Sequence, residues 1–127
     1  MNKLALTGLL LSLSGYTAAG TYTVTCENGT ATKEDGSTYV IKHASLTSDD
    51  ERSVLTVQGH TNNLPPLSYQ AIGYITSSID KNNMKLTVIA SDGITPHTSA
   101  LVVSVEDVNG NAIWGMMAAG CASHKTK

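Results

Sequence analysis

The sequence predicts an all-β fold: an antiparallel, Ig-like β-sandwich of about seven strands, with a small β-barrel as the alternative closure. Three observations lead there. Apolar and polar residues alternate with period two along most of the chain past residue 20, as strands with one buried face require. Clusters of Gly, Asn, Asp and Pro interrupt that alternation at short intervals, and these are the residues that turns demand. Finally, the only two cysteines, Cys26 and Cys121, lie near the two ends of the alternating region.

The first segment is read separately. "MNKLALTGLLLSLSGYTAAG" carries Lys3, an apolar run over 4–13, and small residues at Ala18, Ala19 and Gly20, the three parts of a secretory leader. Its apolar core is about ten residues long, and a helix crossing a bilayer needs roughly 20. Residues 1–19 are therefore expected to be removed, leaving 20–127 as one domain with no membrane span, secreted or periplasmic. Cleavage one residue later, after Gly20, satisfies the same small-residue rule. Val24-Thr25 before Cys26 lacks a lipoprotein pattern. The remaining chain, roughly 107 residues, is long enough to bury about 60–70% of its unfolded surface in a single core.

The elements follow in order. "TYTVTC" puts Tyr22, Val24 and Cys26 on one face; "STYVIKHASL" puts Tyr39 and Ile41 on one and Val40 and Leu46 opposite; "SVLTVQ" aligns Leu55 and Val57. Tyr69, Ala71 and Gly73 alternate with Gln70, Ile72 and Tyr74, and Met84, Leu86, Val88 and Ala90 with Lys85, Thr87 and Ser91. Two further runs cover 102–108 and 112–118. Between them lie Glu27-Asn28-Gly29, Glu34-Asp35-Gly36, Asn62-Asn63, Pro65-Pro66, 80–83, Asp92-Gly93 and Asn109-Gly110. Asn109-Gly110 is the strongest hairpin signal, and a two-residue type I′ turn, with positive φ at both residues, is expected there. The last run, "AIWGMMAAGCA", has helical Ala and Met content, but Gly115 and Gly120 favour a strand.

Charge excludes some partners. The formal net charge is −2, and losing Lys3 with the leader makes the remainder more negative by one. No basic stripe is present for nucleic acid or anionic lipid, and no repeat or low-complexity tract suggests an array. Export delivers Cys26 and Cys121 to an oxidising compartment, where two thiols of a small domain pair. A loop of nearly the whole mature chain would contribute on the order of 4–5 kcal/mol in the chain-entropy description.

One stretch resembles a known family. Leu86-x-Val88-x-Ala90-x-Asp92 followed by Val103-x-Val105-x-Asp107-Val108-Asn109-Gly110-Asn111 is similar to the end of a cadherin-type repeat, L-x-V-x-A-x-D and then V-x-V-x-D-x-N-D-N. The resemblance implies an Ig-like sandwich and calcium held by Asp92, Asp107, Asn109 and Asn111, with Asp80 a looser match. Gly110 stands where that family has an aspartate and Asn82 where it has a glutamate, so the implied site has two carboxylates and two amides. Calcium takes six to eight oxygens. Hairpin chemistry alone accounts for Asn109-Gly110, so the expectation from the residues themselves is no cofactor.

Other constellations point away from catalysis. His43, His60, His97 and His124 show no H-x-x-x-H or His-Cys ligand spacing. His43 continues the Tyr39-Ile41 face and is expected to be half-buried, whereas His60 and His97 read as loop residues. Neither G-x-S-x-G nor a phosphate-cradling glycine loop occurs, so no enzyme is expected. Asp49-Asp50-Glu51 beside Arg52 reads as a solvated turn. Asn28-Gly29-Thr30 is a glycosylation sequon, relevant to a eukaryotic secretory route. Asn62, Asn63, Leu64, Pro65, Pro66 and Leu67 form a stiffened segment that reads as a protein-contact loop.

The expected function is therefore binding: a monomeric, disulfide-bonded module of effector or adhesion type, directed at an extracellular or envelope protein or glycan. The alternative is an inhibitor of an extracellular enzyme such as a lysozyme. The chain is similar in size and cysteine placement to the two-cysteine β-barrel lysozyme inhibitors, without their S-A-S-G-x-R-Y loop.

Overall fold

The computed structural model describes residues 21–70, 73–92 and 98–126; the expected leader, Ala71, Ile72, Gly93 and His97 lie outside them. Among the described residues eleven strands are present: β1 Thr21–Cys26, β2 Gly29–Lys33, β3 Thr38–Ile41, β4 Ala44–Ser48, β5 Ser53–Val57, β6 His60–Leu64, β7 Ser68–Gln70, β8 Gly73–Ile79, β9 Lys85–Ser91, β10 Ser99–Glu106 and β11 Ala112–Thr126. All pairings are antiparallel and join one sheet in the order β6-β5-β4-β1-β11-β10-β9-β8-β7, with β2 on β11 and β3 on β2. That sheet curls into a half-barrel. The all-β, antiparallel expectation holds. The closure is nearer the barrel alternative than a sandwich of about seven strands.

Long kinked strands account for the curl. The pairing register of β1 with β11 continues unshifted into β2, and that of β1 with β4 continues into β2 with β3. Thus 21–33 and 38–48 are each one ribbon broken in the middle, at Glu27-Asn28 and at Lys42-His43. Tyr22, Val24 and Cys26 point inward before the break and Ala31 after it; Ile41 points inward before the second break and Ala44 and Leu46 after it. The two-residue interruption changes which parity faces the core. β11 does the same opposite them, where Gly120 has φ 69° and its register with β10 shifts between Ser99 and Leu101. Such interruptions bend and coil a sheet. His43 lies at the break and is exposed, not half-buried.

The disulfide is formed as expected, with Cα atoms 4.4 Å apart. That spacing belongs to a non-hydrogen-bonded antiparallel pair, and the two residues are the next step of the β1–β11 register. It therefore ties the sheet beside the line of kinks. Around it lies a core of small and branched side chains, with Val24, Leu46, Leu55, Val88, Leu101 and Val103 at most 2% exposed.

Hairpin geometry corrects one expectation. The Asn109-Gly110 connection is not a two-residue type I′ turn: the Gly110 amide donates to the Asp107 carbonyl and the Asp107 amide to the Asn111 carbonyl, at 3.0 and 2.9 Å. Only Gly110 of the pair has positive φ. This is a three-residue loop in which the left-handed residue forms a bulge. Lys33 to Ser37 and Asp80 to Met84 repeat it, with Gly36 and Asn83 in the left-handed position. The true two-residue turn with positive φ at both positions is Gln58-Gly59, joining β5 to β6.

Candidate functional site

The two ends of the half-barrel differ. At one end Tyr22 of β1 meets Tyr74 of β8 with ring centroids 4.9 Å apart, and Tyr69 of β7 packs edge-on against Tyr74 at 5.6 Å. The Tyr22 hydroxyl donates to Asp92 Oδ1 at 2.6 Å. Lys125 of β11, the register partner of Tyr22, bridges to Asp92 Oδ2 at 2.9 Å and donates to the Tyr74 hydroxyl at 2.7 Å. Burial, then the hydrogen bond and charge of Asp92, push the Tyr22 hydroxyl far above its ordinary value. Partial burial would raise the Asp92 carboxyl, but the Tyr22 hydroxyl and Lys125 outweigh it and hold the carboxyl below the usual range. The Tyr74 hydroxyl, and then Asp92, raise Lys125. This end is plugged by aromatic rings and an ion pair.

The other end is open. A cleft of about 720 Å³ runs between β3, β5 and β6 on one side and β8 to β11 on the other. Period two explains its lining, since the residues inward of the core continue along the same faces. Ile41, Leu55 and Val57 face Leu86, Val103 and Val105 across it. Gln58, His60, Asn62, Asn63, Ser78 and Asp80 form the rim, with Met84 and Ile79 beside them. Tyr39 and Trp114 complete the wall; the Trp114 Nε1–H donates to the Tyr39 hydroxyl at 2.7 Å, and the Lys33 ammonium sits 5.5 Å over the Tyr39 ring. No lysine or arginine is among the lining residues. The Asp80 carboxylate accepts the Asn82 and Met84 amides of its own turn at 2.8 and 3.0 Å. An apolar floor with a ring of amide and hydroxyl groups is the usual make-up of a ligand site, and the volume falls within the range such sites occupy.

The contact loop foreseen at 62–67 is placed differently. Asn62, Asn63 and Leu64 belong to β6, and Leu64 is buried. The Thr76 hydroxyl donates to the Pro65 carbonyl at 2.7 Å, and the Leu67 amide to the Ser48 hydroxyl at 3.3 Å. Ser48 in turn accepts from the buried Ser53 hydroxyl at 2.9 Å. The segment is therefore drawn onto the barrel rather than projecting from it, and Asn62 and Asn63 contribute to the cleft wall.

The cadherin-like residues are not brought together. Asp92 follows β9 and Asp107 follows β10, at opposite ends of that ladder. Asp107 Oδ1 accepts the Asn109 and Asn111 amides, both at 2.9 Å, and Oδ2 accepts the Asn111 side-chain amide at 3.3 Å. The Asn111 amide, foremost, keeps this exposed carboxyl below its ordinary value. Among the described residues no group of three or more His, Cys, Asp or Glu side chains is arranged to hold a metal. Asp49 likewise caps its own turn, accepting the Glu51 and Arg52 amides. Asn28 is exposed between β1 and β2.

Compared with known proteins, the chain matches no family model, no curated protein and no solved structure. The cadherin-type likeness rests on its residues alone. Sequence reasoning missed Tyr39, Trp114 and Gln58 as site residues. The signal available was Trp114, the chain's only tryptophan, on the same alternation as Met116 and Ala118.

Proposed function

We propose that the protein is a secreted or periplasmic binding module, freed of residues 1–19, that acts as a monomeric effector or adhesion-type protein by taking an apolar group of an extracellular or envelope protein into the cleft. One observation carries this reading: the half-barrel is plugged at one end and open at the other, where apolar side chains that a closed core would bury line a cavity of ligand size. The polar groups there are amides, hydroxyls and a carboxylate that already caps its own turn. Such a lining supplies recognition rather than bond-making chemistry. The inhibitor alternative calls for a projecting loop, whereas 62–67 is held against Thr76 and Ser48.

A glycan is the second reading, favoured by the hydrogen-bonded Tyr39 and Trp114 rings beside three amide side chains. Capture experiments with wild type and Val57→Arg separate the two. The variant places a cation in the floor and is expected to lose at least tenfold in binding to host or envelope extracts while keeping its disulfide and melting cooperatively. Proteinase treatment of the extract is expected to abolish binding and periodate oxidation of its sugars to spare it; the reverse pattern establishes the glycan. Undiminished binding by Val57→Arg refutes the cleft as the site.

A further inference from the structure

The cleft has a feature that a pocket for a small molecule does not need: an unpaired strand edge along its rim. Among the described residues β6 pairs with β5 alone. Because the Gln58-Gly59 turn makes Val57 and His60 a hydrogen-bonded pair, the backbone groups of His60, Asn62 and Leu64 serve the β5 ladder. Those of Thr61 and Asn63 point the other way, toward the gap that separates β6 from β8. The gap closes at Leu64, where the Thr76 hydroxyl reaches Pro65, and opens at the mouth, where His60 and Asn62 stand across from Ser78 and Asp80. About four residues of edge are free, about 13 Å of strand.

We propose that this edge accepts an extended segment of the partner protein as an added strand. The proposal rests on the cleft reading above and names what enters: a polypeptide in β conformation with apolar residues at alternate positions. Its backbone pairs with Thr61 and Asn63; every second side chain then points inward, toward the half-buried Val57, Leu86, Val105 and Trp114 of the lining. Strand addition gains affinity from main-chain hydrogen bonds and specificity from the pockets under alternate side chains, and the cleft offers both together. Charge narrows the class further. The lining carries one carboxylate, Asp80, and no lysine or arginine; beside it Glu106 and Asp107 stand with Lys85, and Lys33 lies over Tyr39, so one negative charge is left in excess. The segment is therefore uncharged or basic, and an acidic one is disfavoured by unpaired like charge.

Selection of a displayed library of random octapeptides against the mature, oxidised protein tests this. The expected consensus has apolar residues at alternate positions and no acidic residues, with binding read by the fluorescence of Trp114. Asn63→Pro removes the outward-pointing amide donor without touching the β5 ladder, a substitution that edge strands tolerate. It is expected to weaken every selected peptide at least tenfold, whereas Thr61→Val, which keeps the backbone donor, changes binding less than threefold. A neutral naphthylamine dye, which enters the cleft without forming a ladder, is expected to perturb Trp114 equally in wild type and Asn63→Pro and so shows that the variant is folded. Selected peptides that bind Asn63→Pro as well as wild type, or that lack the alternation, overturn strand addition. So does failure to select any peptide while the dye still responds, an outcome that leaves the cleft reading standing. Failure of both peptide and dye removes the cleft reading as well.

Discussion

Tyr22 is the residue on which the closed end depends. Its ring is 8% exposed and its hydroxyl, held to Asp92, ties the first strand to the residue that follows β9. A hydrogen bond to a charged group contributes about 1.5–3 kcal/mol. Asp92 keeps Lys125 when that bond is lost, so Tyr22→Phe is expected to cost about 1.5 kcal/mol, a fall of about 6 °C in melting temperature by calorimetry. An unchanged melting temperature would mean the bond contributes nothing. The titration of the cluster sets its pH window. Asp92 is depressed in the folded state, so its contribution is complete above the unfolded value of about 3.9 and is lost as the pH falls through the lower folded value. Lys125 and Tyr22 are raised, so theirs are complete below unfolded values of about 10 and are lost as the pH rises further. Wild type is expected to be most stable between about pH 5 and pH 9, and Asp92→Asn to lose less than wild type when acidified from pH 5 to pH 3. Equal acid losses in the two proteins would show that Asp92 is not linked to folding.

At the scale of elements, hairpin chemistry decides the register. Among the described residues three connections use a three-residue loop whose last residue is left-handed: Gly36, Asn83 and Gly110. A side chain in that conformation costs roughly 1–2 kcal/mol. Because a Cβ on Gly110 would meet nothing, Gly110→Ala isolates the backbone cost; it is expected to destabilise by about 1 kcal/mol in chemical denaturation, with the denaturant slope unchanged. A variant as stable as wild type would refute the loop assignment. These turns were legible as turns because Gly and Asn stood in them. Their type was not, since Asn109-Gly110 fits either a two-residue or a three-residue loop, and only the pairing of Asp107 with Asn111 selects between them. Alternation read the inward faces of β1, β5 and β9 correctly, but it set Leu46 with Val40 opposite Ile41, whereas Ile41 and Leu46 are both buried and Val40 is exposed, because the break changes which parity faces the core. It read 38–48 as a single run, and the pairing register treats it as one, although the chain breaks at Lys42-His43. That break is imposed by neighbouring strands and leaves no local trace. β2 and β6 escaped notice because "GTATK" and "HTNNL" hold few apolar residues; β2 is carried by β11 and β6 by its turn. With β6 unseen, the rim of the cleft was unseen too, and Asn62 and Asn63 were read as a loop.

For the whole molecule, the disulfide and the line of kinks belong together. Cys26 and Cys121 are 95 residues apart in sequence and join the two long strands beside the bend, so the covalent bond closes nearly the entire described chain. Replacing both by Ala is expected to cost about 4 kcal/mol, a large share of the 5–15 kcal/mol typical of a domain; equal denaturation midpoints for the two proteins would exclude that role. The curl that the kinks produce is what leaves one end open, and with it Val57 of β5, Leu86 of β9 and Val105 of β10 only half-buried at the mouth. The outer face offers a competing surface, where Val40 and Met117 are 61% and 64% exposed. Emission from Trp114, measured while a purified protein captured by the chain is titrated in, distinguishes the two directly, because the chain has no other tryptophan. If the cleft is the binding site, the emission of a tryptophan-free partner's complex shifts to shorter wavelength as water leaves the Trp114 ring, and the shift saturates with binding. A complex that forms with Trp114 emission unchanged, and that Met117→Lys abolishes, would contradict the account.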